Sequence, residues 1–426
     1  MHRPLCFVDS TYYSSDLFPE IADALAGYPT ICQVGDCAFQ FKVVGIVCAG
    51  GRPVVVFPKN YSDFIEGDNY TAEAKTLARV LIRYKNEPLH DDLELPLLHG
   101  DNEMSSSRIT SAMFLLDDYC QNGFIRRQNE VSTIMKSGRT DWASTINKTT
   151  PFFSNLRPLY PNPIVRKNTA DEENIIRIIH KVVVNECFRE WGWFFGYDDY
   201  ADTGMSLPVH PAEAIRKLNA ELRNTFVARD IQVIRKLIEY LAGRYGNEKE
   251  QKIDVLATPY FSFVWESVCG FLLSNQYNRL KSLLPQPVWE SNIVEGRISQ
   301  RPDIFHVNGA GLYIFDAKYY DYFRNIPGWH DAVKQFFYRH TLNSVLPRRE
   351  FRRLLPDANA IFNAFIFPGH NSDFEYVGRI HVPRTEDLGE IKAFSINQKK
   401  ALSSYAYRDD SHFSEIIRQK VAESFE

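Results

Sequence analysis

Apolar and β-branched residues fall in short runs over the first hundred positions. Phe39 to Val47 and Pro53 to Pro58 read as two strands, separated by the turn signal Cys48-Ala49-Gly50-Gly51-Arg52. A helix is expected from Ala72 to Tyr84, where Leu77, Val80, Leu81 and Tyr84 share one face. This pattern describes a strand-rich α+β module over residues 1–105.

The pattern changes after Ser106-Ser107-Arg108, which opens a helix carrying Ile109, Met113, Leu116 and Tyr119 at helical spacing. A segment around Phe124 to Arg127 then leads to the basic, glycine-containing stretch Lys136-Ser137-Gly138-Arg139. A short helix followed by such a hairpin fits a winged-helix-like segment over 106–155, and it fits an ordinary connector equally well. Pro158, Pro161 and Pro163 mark a boundary, beyond which 156–258 reads as a helical region. Its helices are expected over Asp171–Phe195 (Ile175, Ile179, Val183 and Cys187 on one face), Pro211–Thr225 and Asp230–Tyr245.

Residues 259–426 alternate helix and strand. A helix from Pro259 to Leu273 turns Phe263, Val264, Val268 and Phe271 inward, and its one acidic residue is Glu266. Strand-like runs follow at Arg301–Val307, Gly311–Tyr319, Ala360–Pro368 and Glu375–Val382, with a helix at Trp329–Asn343. The order predicts a mixed sheet flanked by helices, so the fold class is α/β (α+β overall).

Composition narrows the function classes. The chain has 426 residues, 44% of them hydrophobic, which excludes disordered and low-complexity classes. Seven cysteines with no C-x-x-C pair exclude a disulfide scaffold and a zinc ribbon. The longest apolar stretch, Val43 to Phe57, is broken by Gly50, Gly51, Arg52 and Pro53, so no membrane span is expected. The first residues lack a secretory apolar region, which makes the cytoplasm the expected compartment. With 49 Lys+Arg against 53 Asp+Glu, the net charge of −4 carries no global signature of nucleic-acid binding.

The candidate chemistry lies in Arg301-Pro302-Asp303-Ile304-Phe305-His306-Val307, an Asn/Gly turn, and Leu312-Tyr313-Ile314-Phe315-Asp316-Ala317-Lys318. In an antiparallel hairpin Asp303 and Asp316 become neighbours, and the two-residue period puts Asp316 and Lys318 on one face. Two carboxylates there suit a hard divalent cation such as Mg²⁺, which takes oxygen ligands at about 2.0–2.1 Å. Lys318 has no lone pair as an ammonium, so its role is to stabilise phosphate charge or position water. Glu266 would complete the acidic set, and Gln335 and Tyr338 on the Trp329 helix face the same region. Glu390-Ile391-Lys392, preceded by Pro356-Asp357, is a decoy: its gap is longer and Glu390 follows Gly389 rather than an apolar strand. His306 and His330 show no metal-ligand spacing and read as bystanders.

These residues resemble the PD-(D/E)xK nuclease superfamily: Pro302-Asp303, Asp316-x-Lys318, the helix with Glu266, and Lys334-Gln335-Phe336-Phe337-Tyr338. Within it the chain resembles the LlaJI restriction endonuclease family, the McrC-like subunits of nucleotide-dependent restriction systems. Phe41–Val47 with Pro53–Lys59 is similar to that family's opening module, and Gly138-Arg-Thr-Asp-Trp142-Ala-Ser-Thr145-Ile146 to its Gly-x-x-x-Trp-x-x-Thr-Ile stretch. The resemblance implies a PD-(D/E)xK nuclease core over 259–426, with Asp303, Asp316 and Glu266 holding Mg²⁺. It also implies Lys318 as the catalytic lysine and Gln335 as part of a Gln/Tyr motif. Gln335-x-x-Tyr338 is one residue shorter than the motif of RecB-like members, which leaves Tyr338 open.

The implied activity is Mg²⁺-dependent hydrolysis of phosphodiester bonds in double-stranded DNA, giving a 5′ phosphate, in anti-phage restriction. The implied partner is a separate McrB-like AAA+ GTPase in a larger hetero-oligomer, docked on residues 1–155. The chain contains no G-x-x-x-x-G-K-[ST] of its own. The alternative is a nuclease-inactive DNA-binding or GTPase-regulating subunit; a stand-alone exonuclease fits less well, since no helicase motif accompanies it. Residues 277–353 hold 12 Lys+Arg against 7 Asp+Glu, and Arg348, Arg349, Arg352 and Arg353 close this locally basic window.

Overall fold

The computed structural model describes residues 4–49, 52–61, 70–87, 107–126, 128–134, 139–155, 157–171, 173–195, 204–245, 254–290, 295–297, 301–308, 311–354, 360–370, 372–409, 417, 419–421 and 423–424. Several expected features lie outside them: the Gly50-Gly51 turn, Ser106, Lys136–Gly138 and the centre of the Asn308–Gly311 turn. The fold is a mixed α/β one, and the chain divides into two compact units: residues 106–252, and residues 2–105 together with 253–426.

In the 106–252 unit, the helices Ser107–Asn122, Ile175–Trp191, Pro211–Asn224 and Ala228–Tyr245 bury Ile109, Leu116, Ile179, Val183, Cys187, Val233 and Leu237. The second helix starts at Ile175 rather than at Asp171, because the Asn174 side chain caps it by accepting from the N–H groups of Ile176 and Arg177. Ile176, Val182, Val184 and Phe188 are buried as well, so this helix is covered on more than one face. A three-stranded antiparallel sheet places Ile164–Ala170 between Gln128–Ile134 and Arg139–Thr140. Asp141 caps the helix Trp142–Lys148 through the Ser144 N–H at 3.0 Å and also binds Arg166 at 2.7 Å.

The other unit starts with a four-stranded sheet in the order Leu5–Val8, Arg52–Phe57, Val44–Ala49, Asp254–Thr258. The expected single strand Phe39–Val47 divides at Lys42-Val43. Ala38–Phe41 joins a separate three-stranded sheet, while Val44–Ala49 pairs antiparallel with Asp254–Thr258. Gly45, at φ 144°, permits that pairing, since a Cβ there would collide with the Leu256 carbonyl.

A five-stranded sheet follows in the order Ile304–Asn308, Gly311–Ala317, Ala360–Gly369, Glu390–Asn397, Phe374–His381. The second, third and fourth strands are parallel; the two edge strands run antiparallel to their neighbours. The helix Trp329–Val345 packs on the face carrying Leu312, Ile314 and Ile361. The helix Phe261–Leu272 lies against the opposite face, where Phe261 meets Tyr319, and the helix Gln398–Tyr407 packs beside it. On the Phe261 helix, Phe263 and Phe271 stay half-buried while Trp265, Cys269 and Leu272 are buried with Val264 and Val268. No helix among the described residues is long and apolar enough to cross a membrane.

Burial sets a pH limit on the 106–252 unit. His180 is fully buried and its Nδ1 accepts from the Ile125 N–H at 3.2 Å. Burial pulls its pKa down from 6.5 to about 4, against a weaker upward pull from Asp118. The unfolded chain therefore binds this proton near pH 6.5 and the fold only near pH 4, so stability falls as pH drops through that window. The loss should approach about 3 kcal/mol by pH 4. Hydrogen exchange across the Ile175–Trp191 helix at pH 4 to 7.5 should show this slope, and His180→Gln should flatten it.

Candidate active site

Two strands and one helix build the site. Ile304 pairs with Phe315 in the antiparallel register, so Asp303, one residue earlier, comes opposite Asp316. Asp303 Oδ2 accepts from the Ala317 N–H at 3.0 Å, which fixes its carboxylate at the end of the partner strand. Strand alternation turns Asp316 and Lys318 to the same face as Ile314, towards the helix Trp329–Val345.

There the Lys318 ammonium lies between two carboxylates: Asp316 Oδ2 at 2.7 Å and Asp331 Oδ1 at 2.8 Å. Burial pulls the Lys318 pKa down, but attraction to Asp316 and Asp331 exceeds it and raises the value, so the group stays cationic. Burial pushes the Asp303 carboxyl well above the usual carboxylate range, and repulsion from Asp316 and Glu266 adds to it. The Ala317 N–H and Lys318 pull it back only in part. Glu266, half-buried on the Phe261 helix, thus acts on Asp303 through its charge; both also raise the buried Cys269 thiol after burial itself. The structure therefore brings Asp303, Asp316 and Lys318 together at the strand ends, with Glu266 near enough to act on Asp303 electrostatically. Among the described residues, no three His, Cys, Asp or Glu side chains are gathered closely enough to form a ready cation cage.

Gln335 lies one helical turn after Asp331 and is fully buried. Its backbone carbonyl accepts from Asn363 Nδ2 at 2.9 Å, while its side-chain amide has no hydrogen-bond partner among the described residues. Tyr338, another turn on, donates to the Arg301 carbonyl at 3.1 Å and packs with Leu312 and Ile314. Its pKa is pushed up to about 12 by burial, with Asp303 and Asp316 adding. Its hydroxyl thus holds the backbone two residues before Asp303.

Asp331 is the site residue that sequence reasoning did not assign. Its only sequence signal is the spacing of four to Gln335, which aligns the two on one helix face. His306 is buried, with Nδ1 on the Ser274 carbonyl at 2.9 Å, in a structural role. Glu390 directly follows Gly389 and opens the strand Glu390–Asn397, so no apolar strand leads into the Glu390-x-Lys392 pair. It lies two strands from Asp316, and Glu390 is bound by Arg379 at 3.0 Å and Lys392 at 3.3 Å. The four arginines from Arg348 to Arg353 are exposed on and beside the helix Arg349–Leu354.

The model of the LlaJI restriction endonuclease family matches residues 43–383. A component of the type II restriction enzyme BsuMI, YdjA of Bacillus subtilis (strain 168), is 27% identical over 363 residues, covering 79% of this chain and 74% of that protein. Among solved structures, a refined half-complex of Thermococcus gammatolerans McrB AAA+ hexamers with bound McrC has a chain 14% identical to this one. It covers 96% of this chain and 99% of its own, at a TM-score of 0.43. A second, of the Thermococcus gammatolerans McrBC complex, is 16% identical over 56% of this chain and 79% of its own, at a TM-score of 0.30. With most of its length, the site hairpin included, inside the family match, the chain belongs to the LlaJI restriction endonuclease family.

Proposed function

We propose that the chain is the DNA-cleaving subunit of a restriction system, hydrolysing phosphodiester bonds in double-stranded DNA with Mg²⁺. The observation that carries this reading is Lys318, a cationic ammonium clamped between Asp316 and Asp331 beside the like-charged pair Asp303 and Glu266. The donor set suits a hard divalent cation: it is all oxygen, and a cation would relieve the repulsion that adds to burial in raising Asp303. Asp303 and Asp316 would hold Mg²⁺, with Glu266 completing the set. When bound, the ion would supply charge neutralisation at the phosphate and activation of water.

The chain's own residues account for the remaining chemistry. Lys318 presents a fixed positive charge to the phosphate oxygens, and Asp331 keeps that ammonium pointed at Asp316. The unpartnered Gln335 amide can orient a water or bind a phosphate oxygen. Tyr338 contacts neither group; its bond to Arg301 positions Asp303. No side chain needs to act as a nucleophile.

A separate McrB-like AAA+ GTPase is proposed as the partner, because the family resemblance implies a motor and this chain has no P-loop. The docking surface is placed within residues 1–155, where Trp142, Ile146, Phe152 and Phe153 are more than half exposed. The second reading, a nuclease-inactive regulatory subunit, draws on Lys318 already occupying Asp316.

Three outcomes test this. Asp316→Asn should lower DNA cleavage by the reconstituted complex on the order of 10³-fold while melting stays cooperative; undiminished restriction would favour the regulatory reading. Asp331→Asn leaves the ammonium one carboxylate and should slow cleavage about tenfold at saturating DNA, read from single-turnover rates. Replacing Trp142, Phe152 and Phe153 by Ser should abolish co-purification with the motor, and persistent binding would refute that docking surface.

A further inference from the structure

A cavity opens at the same end of the five-stranded sheet as the site. Gly369 and Asn397 are paired at the carboxyl ends of their parallel strands, and the ten-residue helix Gln398–Tyr407 starts there. Between that helix start and the corner at Asn60 and Tyr61 lies a cavity of about 110 Å³, lined also by His370 and Lys399. That leaves room for a phosphate group.

Donors dominate its lining. Gln398 is 1% exposed, yet neither atom of its amide has a hydrogen-bond partner among the described residues. The Asn397 side chain accepts from the Lys400 N–H at 3.0 Å; the N–H groups of Gln398 and Lys399 have no acceptor within the helix. The Lys399 ammonium is held 5.2 Å above the Tyr61 ring and 3.0 Å from Glu73, which offsets part of its charge. A helix start, a buried unpartnered amide and a lysine together favour a phosphate oxygen.

The chain also links this cavity to the site. Lys59 N–H donates to the Tyr319 hydroxyl at 2.7 Å, Tyr319 directly follows Lys318, and Asn60 lies in the cavity wall. Ala317 pairs with Ile366, so Gly369 lies three residues further along the sheet, about 10 Å. The Asn397 strand is two spacings across, again about 10 Å. A duplex with its scissile phosphate at Lys318 has other backbone phosphates within that reach.

We propose that this cavity holds a backbone phosphate of the DNA being cut, a positioning contact that reads no sequence. The proposal rests on the nuclease reading above. The test uses the reconstituted complex and a duplex fragment that the wild type cuts. Asn60→Asp suits a backbone already at φ 60° and places a negative charge at the cavity; it should raise the Kd for that duplex at least tenfold. Gln398→Glu should do the same. Lys399→Gln should reduce the slope of log affinity against log salt by about 0.9. The cleavage rate at saturating DNA should stay within about twofold in all three, as a positioning contact requires. Gln398 is buried, so if its variant fails to fold, Asn60→Asp and Lys399→Gln decide.

Unchanged Kd and salt slope in those two variants would overturn the proposal. So would inorganic phosphate that raises the melting temperature of the wild type but not of Asn60→Asp while DNA affinity stays equal, because the cavity would then serve a free anion. Failure of the nuclease reading looks different: the wild-type complex cuts no DNA, or Asp316→Asn cuts fully.

Discussion

Carboxylates gathered at the end of a strand repel one another, and the Lys318 ammonium is the charge set against them. It lies within 2.8 Å of both Asp316 and Asp331, in a partly buried place where attraction is weakly screened. That bridge ties the Gly311–Ala317 strand to the first turn of the Trp329–Val345 helix, beside a hairpin that has already set Asp303 opposite Asp316. The Asp303 carboxyl still remains pushed well upward, first by burial and then by repulsion from Asp316 and Glu266.

The scaffold around this edge is not confined to the carboxyl-terminal half. Asp254–Thr258 completes a sheet begun by residues near the amino terminus, and Gly45 is the residue that lets those backbones meet. Arg83, on the helix Tyr70–Asn86, stacks on Phe271 and Tyr405 with its guanidinium 4.2 and 4.0 Å from the ring centres. Lys59 reaches Tyr319 beside the site lysine. The amino-terminal module is therefore part of the unit that carries the site. Removing it would strip strands and ring contacts from that unit, so point changes on exposed residues are the cleaner probe of partner docking.

Much of the site was legible because it is local. Pro302-Asp303 and Asp316-x-Lys318 lie on two strands joined by a short turn, where period-two alternation dictates which side chains share a face. The helices were legible wherever apolar spacing was regular, as at Leu77, Val80 and Leu81, all buried. Glu390–Asn397 was not: a glycine and a charged residue open it, and it becomes a strand through parallel pairing with Ala360–Gly369. Phe39–Val47 looked like one strand because nothing in its own residues marks the switch between sheets at Lys42-Val43.

The sequence by itself determined the mixed α/β class, the hairpin of the site, the acid–acid–lysine set and the family. Each follows from residue type and spacing over a few turns or strands. Only the tertiary structure decided that Asp331 holds Lys318, that Tyr338 binds Arg301 rather than the site, and that the Gln335 amide is buried without a partner among the described residues. It alone joined Asp254–Thr258 to the amino-terminal sheet and set Asn60 against Gln398. These contacts bring together residues 13 to about 340 positions apart, and packing between elements settles them where periodicity within an element cannot.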